Sequence, residues 1–191
     1  MSPKPLLISL TSASLGGYLE LTHAPPCSSK LTALTPLILL GTGFWALMHG
    51  FAVGAARAKY AELARKDGEK DVDERYLLPN LYAQGTSKHV RAFNCMQRSH
   101  QQIFETFTTA VLSGVVGCIT FPVCTALSTF LYAVGRYHLS KGYADAEGEA
   151  GKRYQYPLAM YMWYGFLGNM LLGMGSCALM IVGGMKTPVV G

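Results

Sequence analysis

The chain has 191 residues, half of them hydrophobic and only 14% charged, with a mean hydropathy of +0.24. Soluble domains carry roughly 25% charged residues, so the composition excludes an ordinary water-soluble enzyme and indicates one compact integral membrane domain. The formal charge of +5 does not indicate nucleic acid, because the cations gather at helix ends and in two loops, as membrane topology requires.

Residues 1–30 form an N-terminal extension that is the least readable part of the chain. Leu6 to Leu21 is apolar but short for a span, interrupted by Gly16-Gly17 and carrying Glu20; Pro25-Pro26 ends any helix there. Leu31 to Ala56 then runs without a formal charge and is long enough to cross a bilayer with some tilt. Pro36 sits in its first turns, where proline is tolerated. Arg57, Lys59, Arg65 and Lys66 follow, and a polar stretch to Lys88 reads as a helix extension and a loop, with Asp67, Glu69, Asp71, Asp73 and Glu74 in solvent.

Between Glu105 and Arg136 lies a stretch free of charge, Thr106 to Gly135, with Pro122 near its middle. A spanning helix needs ~20 residues, so two spans fit only if the first starts near Phe93, which places Arg98 and Glu105 in or just below the bilayer surface. Ionisable residues at that depth are costly and generally functional. The expected spans are therefore 31–56, 93–118, 122–141 and 157–183, a four-transmembrane-helix, all-α architecture over 31–191. Thirteen of the sixteen Lys and Arg lie from Arg57 to Arg153, the exceptions being Lys4, Lys30 and Lys186. The loops 57–92 and 141–156 thus share the positive side, facing the cytosol or its organellar equivalent, and the uncharged tip near Thr120 faces away.

The cysteines, Cys27, Cys95, Cys118, Cys124 and Cys177, contain no C-x-x-C pair, and no metal site is expected. They read as small free apolar residues, with a Cys118–Cys124 bridge across the hairpin tip as the alternative. His49 reads as packed or bonded between helices, and His23 and His89 as loop residues without metal-like spacing. Gly168, Gly173 and Gly175 in the last span permit close helix approach.

The chemistry concentrates in the second span. At ~100° per residue, Asn94, Arg98, Gln101, Gln102, Glu105 and Thr109 share an arc of about 100°, and His100 lies off that stripe. A lone polar residue in a span is ordinary helix–helix glue, whereas an aligned Arg, two Gln and a Glu favour a polar ligand. Arg can take a carboxylate bidentately, Glu can accept an ammonium, and Gln can read peptide amides. With Arg57, Arg136, Lys141, Lys152 and Arg153 at the same level, a small, multiply charged peptide fits the set, and adjacent lipid supplies apolar co-substrates.

Phe93-Asn94-Cys95-Met96-Gln97-Arg98-Ser99-His100-Gln101-Gln102, followed by Glu105, closely resembles the F-N-C-x-Q-R-x-H-Q-N-x-x-E signature of type-3 microsomal glutathione transferases. These belong to the membrane-associated proteins in eicosanoid and glutathione metabolism (MAPEG). Ala56-Arg57-Ala58-Lys59-Tyr60 and Gly135-Arg136 with Lys141-Gly142-Tyr143 resemble two further segments of that family, and the likeness covers roughly Leu37 to Met185. It implies a four-span homotrimer that binds glutathione as co-substrate between subunits and conjugates it to lipophilic electrophiles or reduces lipid hydroperoxides, in the endoplasmic reticulum or an organelle membrane (mitochondrion or plastid). It implies that Arg98, Gln102, Glu105 and Tyr143 bind glutathione within one subunit and that Arg57 and His100 reach that of a neighbour. Arg153, matched across a short insertion in Ala144 to Gly151, stands where the family has its thiolate-activating arginine, with Lys152 as the alternative. Gln102 replaces the family's usual Asn, and Leu139 stands where the family often has a Tyr near the glutathione sulfur. These departures, with the added N-terminal segment, support a second expectation: a catalytically weak or inactive accessory subunit of a larger organellar membrane complex. A leukotriene-type synthase is the weakest of the three readings.

Overall fold

A computed structural model describes residues 4–23, 31–78 and 80–183; Pro25-Pro26, Cys27 and Pro79 lie outside the described residues. Five α-helices carry most of the chain: α1 (Lys4–His23), α2 (Leu34–Lys66), α3 (Lys88–Thr120), α4 (Pro122–Ala144) and α5 (Tyr161–Ile181). A π-helical turn spans Asp73–Leu77, and 3-10 turns span Ala150–Tyr154 and Pro157–Met160. No strand occurs among the described residues.

Three helical segments, Leu34–Lys66, Lys88–Thr120 and Pro157–Ile181, are long and apolar enough to cross a membrane, which makes this a multi-pass integral membrane protein. The stretch expected to span at 122–141 is helical, as α4, but is not one of the three. Arg136, His138, Lys141 and several hydroxyl residues dilute its apolar content.

The described residues divide into two compact units. The first falls within Met1–Gly41, Thr106–Gly135 and Tyr161–Gly191. Here α1 is continuous through Gly16-Gly17, where the sequence suggested a break. The reason is packing: a Cβ on Gly16 would stand 3.0 Å from Cys124 Sγ, and one on Gly17 would stand 3.2 Å from the Phe121 ring. Glycine lets α1 approach that closely. Ser9 Oγ donates to the Tyr164 carbonyl at 3.2 Å, and Ala13 joins Phe121 and Leu172 in a small core. Glu20 is 7% exposed, and its carboxylate accepts the Val123 and Cys124 N–H groups at 2.6 and 2.9 Å. Those are unpaired donors of the first turn of α4, whose N1 position is Pro122, so an anion is well placed there. Only Phe121 separates α3 from α4, which makes the hairpin tip as tight as the sequence indicates.

The α4–α5 crossing is closest at Gly135 and Gly165, where any Cβ would overlap the backbone at Tyr161–Met162 and at Ser128 and Tyr132 respectively. Gly173 meets the Ser113 carbonyl, so the expected close approach in the last helix holds there; Gly175 faces only the edge of Phe121. Buried hydroxyl pairs tie the helices: Thr106 with Tyr132 at 3.0 Å, and Thr120 with Ser176 at 2.6 Å. Cys118 and Cys124 are both free thiols, not a bridge.

The second unit comprises Thr42–Glu105 and Arg136–Met160. Within it, α2 runs on past the expected span end to Lys66 and closes in a Schellman cap. Glu69 N–H reaches the Ala64 carbonyl and Gly68 N–H the Arg65 carbonyl, with Gly68 at φ +74°, a conformation glycine adopts freely. Ser87 caps α3, its Oγ accepting the Val90 N–H at 3.3 Å. The segment between these helices wraps on a core of Val53, Ala61, Tyr76, Val90 and Phe93, with Tyr76 fully buried. Three of its five acids, Asp67, Glu69 and Asp73, are paired rather than merely solvated. Asp67 meets Lys88 and His89, Asp73 meets Arg65, and Glu69 meets Arg75 at 2.8 Å. His89 is thus a helix-start residue in an ion pair, not a loop residue, and His23 is the last residue of α1.

Candidate functional site

All seven residues singled out in the sequence fall in the second unit: Arg57, Arg98, His100, Gln102, Glu105, Tyr143 and Arg153. Arg98 and Glu105, two turns apart on α3, form a bidentate ion pair with N–O separations of 2.6 and 3.1 Å. Their side chains are 37% and 51% exposed, so the pair is open to a ligand. Arg153 and Tyr143 form a second pair: the guanidinium donates to the phenol oxygen at 3.1 Å and lies 5.8 Å from the Tyr143 ring centre and 5.3 Å from that of Tyr154. The Tyr143 hydroxyl beside it holds the Arg153 guanidinium above its ordinary pKa, securing the charge. The backbone comes equally close at Gly142, where a side chain would collide with the Arg153 carbonyl. Lys152, the alternative to Arg153, is paired with Glu149 at 3.1 Å.

Of the other three residues, Arg57 and His100 have protein partners. Arg57 donates to the carbonyls of Tyr76, Asn80 and Leu81 at 2.7, 2.9 and 3.0 Å and stacks 4.6 Å from the Phe93 ring centre. His100 packs edge-on to Phe104 and near His49, against the bare backbone of Gly50, where a Cβ would stand 2.9 Å from the imidazole. His49 is bonded between helices as expected, its Nε2 2.7 Å from Ser99 Oγ. Gln102 is buried, and its Nε2 has no hydrogen-bond partner. An unpaired buried amide costs about 1–3 kcal/mol, so a donor held there in readiness suits an incoming acceptor.

The polar stripe on α3 divides in two. Asn94 is engaged with the connecting segment, donating to the Ala83 carbonyl at 3.0 Å and accepting the Ala83 N–H at 2.9 Å. Gln101 accepts a hydrogen bond from Tyr82. Arg98 and Glu105 pair with each other, and Gln102 keeps its unpartnered amide. Arg136, grouped by sequence with the loop-side cations, is 1% exposed and donates to the Gln102 carbonyl at 3.2 Å. Leu139 is 2% exposed and packs in the interior of its unit. Tyr82 went unnoticed in the sequence because the stretch around it has no periodicity. Among the described residues no group of three or more His, Cys, Asp or Glu side chains comes together.

These features define a multi-pass, all-helical membrane protein with an exposed carboxylate–guanidinium pair on one helix. The chain belongs to the MAPEG family, whose model matches residues 35–182. The match leaves α1 outside the family domain. No curated protein and no solved structure shows significant similarity to the chain.

Proposed function

We propose that the protein is a four-span, membrane-bound glutathione transferase or peroxidase of the type-3 microsomal kind, acting on lipophilic electrophiles or lipid hydroperoxides. The observation that carries this reading is the open Arg98–Glu105 pair inside the Phe93–Glu105 motif. Glutathione has carboxylates and an ammonium to exchange for those two partners: the guanidinium takes a carboxylate and Glu105 takes the ammonium. The unpartnered Gln102 amide supplies a donor for a peptide carbonyl. Tyr143 holds Arg153, whose charge favours the thiolate over the thiol. The thiol of free cysteine titrates near ~8.5, and each tenfold gain in thiolate needs about 1.4 kcal/mol. In conjugation the thiolate sulfur forms a bond to the electrophilic carbon as the leaving group departs or the adduct is protonated. In hydroperoxide reduction two glutathiones become a disulfide while the hydroperoxide becomes an alcohol and water.

Glutathione binding by the purified protein in detergent, with thiolate absorbance followed across pH, tests this reading. Binding with a thiol pKa well below that of free glutathione supports it; an intact protein that binds none rejects it. A second reading, an accessory subunit that kept the fold, draws on the burial of Leu139 at the sulfur-side position and on α1, which packs on α5 from outside the family domain. Under that reading no glutathione binds and a different membrane protein co-purifies.

A further inference from the structure

The backbone of the connecting segment 80–83 is anchored at Asn80, Leu81 and Ala83 by side chains of the two flanking helices. Arg57 of α2 takes the carbonyls of Asn80 and Leu81. Asn94 of α3 takes both polar groups of Ala83. Between them stands Tyr82, half-buried, its hydroxyl donating to Gln101 Oε1. The Arg98 side chain lies close enough to the same hydroxyl to interact with it. Arg98 and Gln101 are three residues apart on one face of α3, so one phenol is within reach of both. Arg57, Asn94 and Gln101, from two helices, thus hold a short segment whose tyrosine reaches the face of α3 that carries the arginine of the open ion pair.

We propose that Tyr82 is a positioning residue for Arg98, and that the segment 80–83 is a built wall of the anion-binding site, with Arg57 and Asn94 as its anchors. This rests on the reading of Arg98 as a glutathione-carboxylate ligand. A long arginine on an exposed helix face samples many rotamers, and ordering it on binding costs free energy. With its own hydrogen donated to Gln101, the Tyr82 hydroxyl oxygen is left to accept a guanidinium N–H, fixing the plane of the guanidinium before the ligand arrives. The wall also explains why Asn94 and Gln101 lie on the stripe without needing a ligand of their own, and it gives Arg57 a function within its own subunit.

The test is calorimetric titration of glutathione into the full-length protein in detergent, for the wild type, Tyr82→Phe, Arg98→Ala and the double variant. Tyr82→Phe keeps the ring and removes only the hydroxyl. Its dissociation constant is expected to rise about five- to tenfold, as for loss of one hydrogen bond of ordinary net strength. The pKa of the bound thiol should stay unchanged, since Arg153 sets it. In the Arg98→Ala background the same substitution should have no further effect. Gln101→Leu, which removes the acceptor from the opposite side, should weaken binding in the same Arg98-dependent way and serves if Tyr82→Phe does not fold. Wild-type affinity in both variants overturns the inference, as does an equal loss with and without Arg98, which is the signature of a merely structural role. A wild type that binds no glutathione overturns the functional reading and the inference with it.

Discussion

Under the proposed function Arg98 and Arg153 have separable duties, and substitution should separate them. Arg98→Ala removes the carboxylate partner and is expected to weaken glutathione binding by at least tenfold, read by equilibrium titration; unaltered binding rejects the stripe as the site. Arg153→Ala should slow conjugation tenfold or more with little change in affinity, read from initial rates at saturating glutathione; an unchanged rate rejects its activating role. Leu139→Tyr, the change that restores the family's frequent residue, meets a filled interior because Leu139 is 2% exposed. Overpacking of this kind costs about 1–3 kcal/mol, so a lowered thermal midpoint is expected; an unchanged midpoint with raised activity would place residue 139 on an open wall. Tyr76 supplies a pH prediction. Burial pushes its phenol above the ordinary tyrosine value. Its contribution to stability is complete below ~10 and is lost as pH rises through the elevated value. Tyrosinate absorbance in alkaline titration should show a late-titrating group that is missing in Tyr76→Phe.

At the scale of elements, α1 shows how one charged residue docks a helix. Its glycines permit contact, but the Glu20 carboxylate supplies direction by capping α4. Each hydrogen bond to a charged group contributes about 1.5–3 kcal/mol. Glu20→Ala should therefore loosen α1 from its neighbours. Cys124 is the reporter: it lines, with Ile8, Gly16 and Leu172, a cavity of about 470 Å³ beside α1. Alkylation of Cys124 should be faster in Glu20→Ala than in the wild type, and equal rates would show that α1 is held by other contacts. The Asp67, Asp73 and Glu69 pairs act similarly on the segment after α2, turning an acidic stretch into a shaped connection.

For the whole molecule, the proposed function predicts a homotrimer with its loops 57–92 and 141–156 on the positive side of the membrane. Single cysteines introduced near Lys70 and Glu149 should react with impermeant reagents from one side and those near Thr120 from the other; a mixed pattern rejects the four-span topology. Mass measurement of the detergent-extracted protein separates a threefold assembly from a heteromeric complex. The accessory-subunit reading predicts that the partner, not a second copy, covers the apolar outer residues of α2, such as Leu37, Leu40, Phe44 and Phe51.

The sequence by itself determined the class: low charge, apolar stretches of spanning length and the motif from Phe93 to Glu105 were sufficient to reach a multi-pass membrane protein and its family, while the structure offers three helices of spanning character where the sequence indicated four. The helix start at Pro122 was legible too, because proline acts locally through its missing donor, whereas the ends at Gly68 and Ser87 came only with the structure. The site was legible only in part. Arg98, Gln102 and Glu105 could be read from the wheel, since spacing on one helix is a local property. Which stripe residues hold the protein together was decided by tertiary structure, because Asn94 and Gln101 find their partners in an aperiodic segment whose path no local rule specifies. The docking of α1 was decided there as well. Gly16-Gly17 reads as a break in isolation and becomes a contact surface only when Cys124 and Phe121 stand opposite, and Glu20 becomes a cap only when the start of α4 lies within hydrogen-bonding reach.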